Sequence, residues 1–212
     1  MTARGRVHVV DDDADVRGSL DSLLRSENFE IFLHENSAVF LEAYDPLMPA
    51  CLLLDIRLEK EDGLEVQEKL LAEDIRLPVV IMTGHGDVPS AVRSMKQGAV
   101  DFLSKPFSDD ALLAALDKAL SADRERLRAQ NDRSALDALY ATLTPREKDV
   151  AILAVSGLMN KQIAAELGIE TITVKVHRGK VMRKMEARSL ADLVRMLEAL
   201  GVRIWRDRRT VG

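Results

Sequence analysis

The sequence predicts an α/β domain with a doubly wound, five-stranded parallel sheet, followed by a smaller all-α domain of four helices. Three observations carry that prediction. Five short apolar runs alternate with helical stretches over about the first 120 residues, the pattern of a parallel sheet covered by helices. Beyond residue 140 such runs cease, and four helix starts follow one another. Charge is also divided: residues 1–139 hold 16 Lys and Arg against 27 Asp and Glu, while residues 140–212 hold 14 against 8. An acidic half joined to a basic half implies that only the second meets a polyanion.

The chain has 212 residues, 47% hydrophobic and only 4% aromatic, so its cores must be aliphatic. The single cysteine, Cys51, lies in an apolar run and behaves as a small hydrophobe; an intrachain disulfide or a Cys-based metal site is excluded. Residues 1–5 carry no apolar signal core, and no run approaches the length of a membrane span. A cytoplasmic protein with no membrane partner is expected.

Val7–Val10 reads as the first strand and stops at Asp11-Asp12-Asp13. Asp13 is placed to cap a helix whose apolar stripe is Val16, Leu20, Leu23 and Leu24. Residues 29–33 form a second strand, and Ser37 is expected to cap a short helix holding Val39, Phe40 and Leu41. Cys51–Leu54 is the third strand, an unbroken apolar run that ends at Asp55. Asp62-Gly63 leads into a helix over Leu64–Leu71. Residues 78–82 make the fourth strand, ending at Thr83, and a helix over Val88–Gln97 closes at Gly98. Val100–Leu103 is the fifth strand, ending before Ser104-Lys105-Pro106, and Ser108 opens another helix.

The strand ends therefore place Asp11, Asp12, Asp55, Thr83 and Lys105 at one edge of the sheet, where open α/β folds put their sites. Clustered carboxylates favour a divalent cation, because unpaired like charges repel, and hard oxygen donors suit Mg²⁺. Lys105 supplies a point charge for phosphoryl oxygens and Thr83 a hydroxyl. Together they can support in-line phosphoryl transfer to the Asp55 carboxylate.

Residues 108–140 lack Gly and Pro, with Leu113, Leu116, Leu120 and Leu127 near helical spacing. The last helix of the first domain is expected to run on as a solvated, semi-rigid linker over 121–140. A short coiled-coil seam is the alternative.

In the second half, Thr144-Pro145-Arg146-Glu147 is a capping box with Pro at N1. Gly157 ends that helix. Asn160 is expected to cap a second, stopped by Gly168, and Thr171 to cap a third reaching about Arg188. Ser189 and Asp192 form a box for a fourth. The second and third helices read as a helix-turn-helix. On the third, Val174, His177, Val181 and Met185 should face the core, and Lys175, Arg178, Gly179 and Met182 lie on another face. Its basic character marks a major-groove reader.

The spellings Val-Val-Asp11-Asp12-Asp13, Leu-Leu-Asp55-Ile-Arg, Thr83-Gly-His-Gly-Asp and Lys105-Pro106-Phe107 resemble the flavodoxin-like receiver domain of two-component response regulators, over roughly residues 5–120. The resemblance implies that Asp55 is the phosphoacceptor. It also implies that Asp11 and Asp12 are the acidic pair, with Asp12, Asp55 and the Arg57 backbone carbonyl on Mg²⁺. Thr83 and Lys105 match the phosphate-binding pair, Phe102 the switch aromatic, and Lys105-Pro106 a cis peptide. Residues 143–200 resemble the LuxR-type helix-turn-helix domain through Leu-Thr-Pro-Arg-Glu, Gly157-Leu-Met-Asn160-Lys161, Leu167-Gly168-Ile169 and Thr173-Val174-Lys175-Val176-His177. In that resemblance Lys175 and Val176 reach base edges, and Gly179 replaces a base-reaching side chain. Lys161 and Lys184 touch phosphates, and the helix from Ser189 to Leu200 dimerises. A domain over residues 141–205 is implied.

Both halves are similar to regulators of the FixJ/NarL type, with the spelling Thr83-Gly-His-Gly-Asp-Val-Pro on the FixJ side. The implied partners are a cognate sensor histidine kinase, promoter DNA and a second copy of the chain, with RNA polymerase as a further candidate. One departure stands out: the family's Arg-Met-Pro-x-Met loop reads Arg57-Leu58-Glu59-Lys60-Glu61 here, and is expected to be solvated. His85 in its Gly-His-Gly turn is expected to be an exposed turn residue, and the basic tail 203–209 a frayed terminus. Two rivals remain, a phosphorylation-independent regulator and an aspartyl-phosphate phosphatase. The second would want an acid two residues after its nucleophile, where this chain has Arg57. A non-enzyme is expected.

Overall fold

The computed structural model describes residues 3–84 and 88–203. It divides into two compact units between Arg128 and Ala129. The first contains β1 (Arg6–Val10), α1 (Ala14–Ser26), β2 (Glu30–His34), α2 (Ser37–Ala43), β3 (Ala50–Asp55), α3 (Gly63–Ala72), β4 (Val79–Thr83), α4 (Val88–Lys96) and β5 (Asp101–Ser104). It also holds most of α5 (Asp109–Ala141). The five strands are parallel in the order β2-β1-β3-β4-β5. The order reverses between β1 and β3, and their register pairs Val10 with Leu54. The next residues, Asp11 and Asp55, thus lie side by side at its carboxyl edge.

Alternation along β3 divides the core. Cys51 and Leu53 pack with Leu20, Leu24, Leu112 and Leu116 on the α1/α5 face. Leu52 and Leu54 pack with Phe40, Leu64, Val66 and Leu70 on the other. A strand buried on both faces explains the unbroken apolar run.

Several boundaries differ from expectation for identifiable reasons. β2 begins and ends one residue later, because His34 is buried against His8 rather than lying in a loop. Asn36, not Ser37, caps α2 by accepting the Val39 N–H at 3.0 Å. Ser37 is instead bound by Glu61, whose carboxylate accepts its N–H at 2.7 Å and its hydroxyl at 2.5 Å. The start of the expected linker is not solvated. Asp123 is fully buried and accepts the Ala50 N–H at 3.0 Å and the Arg126 Nε–H at 2.8 Å, and Leu127 is buried nearby. An aspartate that completes the backbone bonding at the start of β3 belongs to the first unit, not to a tether.

The second unit packs α6 (Pro145–Val155), α7 (Asn160–Leu167), α8 (Thr171–Lys184) and α9 (Leu190–Ala199). The Thr144/Glu147 capping box is formed. Gly168 closes α7 with φ of 63°, the left-handed cap that favours glycine. Asn160 does not cap α7: Met159 is the cap residue, its N–H taken by Gln162 Oε1 at 2.8 Å. Thr171 is likewise the first residue of α8, with Glu170 before it. α8 stops at Lys184, short of Arg188, because Glu186 turns to φ of 55°. Ser189 accepts the Asp192 N–H, but the Asp192 carboxylate takes the Arg188 N–H instead of closing a box.

Gly63 is required by packing. A Cβ there would lie 2.2 Å from the Asp55 carbonyl oxygen and 2.8 Å from the Ile56 Cα. Gly63→Ala should cost about 1–3 kcal/mol in urea unfolding of the whole chain. Gly18→Ala in α1, where a Cβ meets nothing within 4 Å, should instead stabilise by about 0.5–1 kcal/mol.

Candidate functional site

The carboxyl edge of the sheet gathers four of the expected residues. Lys105 directly follows β5, precedes a cis peptide to Pro106, and is tied to β4 by its N–H to the Thr83 carbonyl at 2.7 Å. That link delivers its ammonium to two carboxylates, Asp11 Oδ2 at 2.8 Å and Asp55 Oδ2 at 2.5 Å. The remaining oxygens are held by the turns that follow each strand: Asp11 Oδ1 accepts the Asp13 N–H and Asp55 Oδ1 the Arg57 N–H, both at 2.9 Å. Asp11 and Thr83 are buried, and Asp55 nearly so. Burial pushes the Asp11 carboxyl above its ordinary range, and the Lys105 ammonium and Asp13 amide only partly offset this. For Lys105, burial disfavours the charge, but its bonds to Asp11 and Asp55 outweigh burial and raise its pKa.

Asp12 is exposed at the rim, and its Oδ2 accepts the Glu59 N–H at 2.8 Å. Among the described residues, no three acidic, His or Cys side chains are gathered tightly enough to hold a metal. Lys105 lies between two of the expected carboxylates, and the third is turned to a loop. One ammonium against three carboxylates still leaves net negative charge, and every donor is a hard oxygen. The set therefore fits a hard divalent cation in charge and donor type. Phe102 pairs with Ile81 across β5 and β4 and is half-buried against the α2/α3 side of the core.

In the second unit, α8 buries Val174 and Val181, and Met185 is buried just past its end. Lys175, Val176 and Gly179 are exposed on its outer side, and Lys161 is exposed at the start of α7. Arg178 is half-buried and donates to Asn160 Oδ1 at 2.7 Å, locking α8 to α7. His177, expected in the core, is half-buried.

The model of the response regulator receiver domain matches residues 7–117, and that of the luxR family of bacterial regulatory proteins matches residues 141–197. Nodulation protein W of Bradyrhizobium diazoefficiens is 50% identical over 92% of this chain and 86% of its own length. Transcriptional regulatory protein FixJ of Azorhizobium caulinodans is 46% identical over 92% and 93%. The solved structure of response regulator StyR superimposes with a TM-score of 0.84 at 47% identity, covering 91% of this chain and 98% of that one. The chain belongs to the FixJ/NarL family of two-component response regulators. It thus joins a receiver to a LuxR-type DNA-binding domain, which implies a histidine kinase and promoter DNA as partners. Receivers of this kind use Mg²⁺ for phosphorylation. Among the described residues of this regulator, no helix is long and apolar enough to cross a membrane.

Three residues expected at DNA, Arg178, Met182 and Lys184, make contacts within their own unit. The Lys184 ammonium, expected at a phosphate, is bound to Glu147 at 2.6 Å and to the Thr142 carbonyl at 2.9 Å. Met182 packs against the α6/α9 core. The Glu61 end of the response regulator's unusual loop is not simply solvated, since it holds Ser37. His85 and the tail from residue 204 lie outside the described residues.

Two features near these sites escaped sequence reading. His8 Nδ1 lies 3.0 Å from His34 Nε2 in a buried stack with Phe32 and Phe40. Burial, then the charges of His34 and Arg6, pushes His8 down to about 4, so it stays neutral. The available signal was two histidines at strand positions otherwise filled by apolar residues. The other is Ile172, in the first turn of α8 and 66% exposed.

The Glu147–Lys184 pair has a testable consequence. The Lys184 ammonium, then the Thr144 amide, holds the Glu147 carboxyl down at about 2 from an ordinary 4.5. A depressed acid contributes its stability above the unfolded value and loses it as pH falls towards the folded one. Stability measured by denaturant should therefore drop between about pH 4.5 and 2, and Glu147→Gln should remove that part of the drop while lowering stability at neutral pH.

Proposed function

We propose that Asp55 is the phosphoacceptor of this response regulator, taking a phosphoryl group from a phosphohistidine of its sensor kinase. The supporting observation is the Lys105 ammonium shared by the buried Asp11 and Asp55 carboxylates beside Thr83. An Asp55 oxygen attacks phosphorus, the P–N bond to the kinase histidine breaks, and the Asp55–phosphoryl bond forms. Lys105 then exchanges a carboxylate oxygen for a phosphoryl oxygen, and Thr83 donates its hydroxyl to another. Asp11, Asp12, Asp55 and the Arg57 carbonyl would hold Mg²⁺, which would supply charge neutralisation for the transferring group. Asp12 contributes by releasing the Glu59 amide.

Recruiting Thr83 and Lys105 to the phosphoryl group shifts the ends of β4 and β5, Phe102 turns inward, and the α4–β5 face changes. That change favours a homodimer whose two α8 helices read half-sites in promoter DNA. Lys175 and Val176 face base edges, Lys161 a phosphate, and Arg178 positions α8 from α7. RNA polymerase is a candidate downstream partner, and a cytoplasmic location follows from this role. The Glu59–Glu61 departure was the sequence argument for a phosphorylation-independent regulator. Glu61 is held by Ser37, which disfavours that reading.

Incubation of the whole chain with a small-molecule phosphodonor and Mg²⁺, read by intact mass and peptide mapping, should add one phosphoryl group at Asp55. Omitting Mg²⁺ or substituting Asp55→Asn should abolish it. A phosphoryl group that persists in Asp55→Asn overturns the assignment.

A further inference from the structure

We propose that Ile172 and Val176 read thymine, by packing against 5-methyl groups in the major groove. The proposal rests on the reading of α8 as the DNA-facing helix and names what its apolar strip recognises. The apolar side chains that the unit needs from α8 and its C-cap for its own core, Val174, Val181 and Met185, are at most 1% exposed. Ile172 and Val176 are 66% and 50% exposed and belong to neither core cluster of this unit. One exposed isoleucine needs no explanation. Two β-branched side chains four residues apart do, because that spacing stacks them on one strip of the helix.

The surroundings decide what covers the strip. Lys175 adjoins it, Lys180 and Arg183 are exposed on the same helix, and Lys161 is exposed on α7. An acidic surface would be attracted to the cations but would leave the apolar strip unsatisfied. The major groove supplies both, phosphates at its walls and, at thymine alone, an apolar methyl group on its floor. Position agrees as well. Ile172 is the second residue of α8, and recognition helices reach base edges with their N-terminal residues. Gly179, one turn beyond Val176, is exposed, and a Cβ there would meet nothing within 4 Å. The domain's own packing therefore does not demand a glycine at this point, and its bare backbone lets the groove floor approach the strip. Ile and Val each hold one dominant rotamer in a helix, so their methyl groups are positioned before DNA arrives.

The test begins with selection of duplexes from a random pool by the phosphorylated full-length chain. Uracil then replaces thymine, one position at a time, in the enriched site. Affinity should fall about four-fold for each contacted methyl lost. Ile172→Ala should bind the thymine and uracil forms of at least one position equally, with an unchanged salt dependence, because no phosphate contact is removed. Ile172→Val should keep part of the discrimination, and both variants should melt as the parent does, since the position is exposed and tolerates alanine in a helix. A selected site without thymine at sensitive positions, or methyl discrimination that Ile172→Ala leaves intact at every position, overturns this inference and leaves the DNA-binding reading intact. Failure to enrich any sequence overturns both.

Discussion

The first unit depends on one ammonium between two carboxylates. Asp11 is fully buried and Asp55 nearly so, and both leave adjacent strands at the same edge. Two unpaired charges so placed would be costly. Lys105 resolves that cost, and β5 is placed to bring it there: its register with β4 pairs Thr83 with Ser104, and the following N–H binds the Thr83 carbonyl. The same ammonium can transfer its attention to a phosphoryl oxygen without moving far. An element that stabilises the resting site is thus also the element that a new charge on Asp55 would draw on.

The second unit is arranged so that the inner side of α8 is fully spent on support. Val174, Val181 and Met185 fill the core, Arg178 grips Asn160, and Lys184 grips Glu147. What is left facing solvent on the outer side is a narrow set of cations, a glycine and two β-branched side chains. This division explains why a helix rich in Lys and Arg does not present all of its charge outward. Arg178 and Lys184 are structural, whereas Lys175 makes no side-chain hydrogen bond or ion pair among the described residues.

Most of the fold and the receiver site were legible because the governing signals are local. An apolar run, the residue that ends it and the cap that follows lie within a few positions, and the parallel α/β topology then puts all strand ends at one edge. What sequence reading missed depends on partners far apart in the chain. Glu61 meets Ser37 across 24 residues, His8 meets His34 across 26, Lys184 meets Glu147 across 37, and Asp123 meets Ala50 across 73. No periodicity marks such pairs, so the sequence does not reveal that Asp123 is bound to the start of β3 or that Lys184 is bound to Glu147. At α2 two polar neighbours, Asn36 and Ser37, compete for one cap, whereas at α7 the cap position falls on Met159, which has no capping side chain, and Gln162 takes its N–H instead.

The decisive measurement is the affinity of the full-length chain for its selected duplex, at one fixed salt concentration, before and after phosphorylation with a small donor and Mg²⁺. If the sheet edge governs the DNA-binding half, phosphorylation tightens specific binding by at least ten-fold, about 1.4 kcal/mol, and leaves binding to unrelated duplex little changed. Equal affinity for the selected site in both states would show that the charge on Asp55 does not control the helix-turn-helix, and the link between the two halves would have to be abandoned.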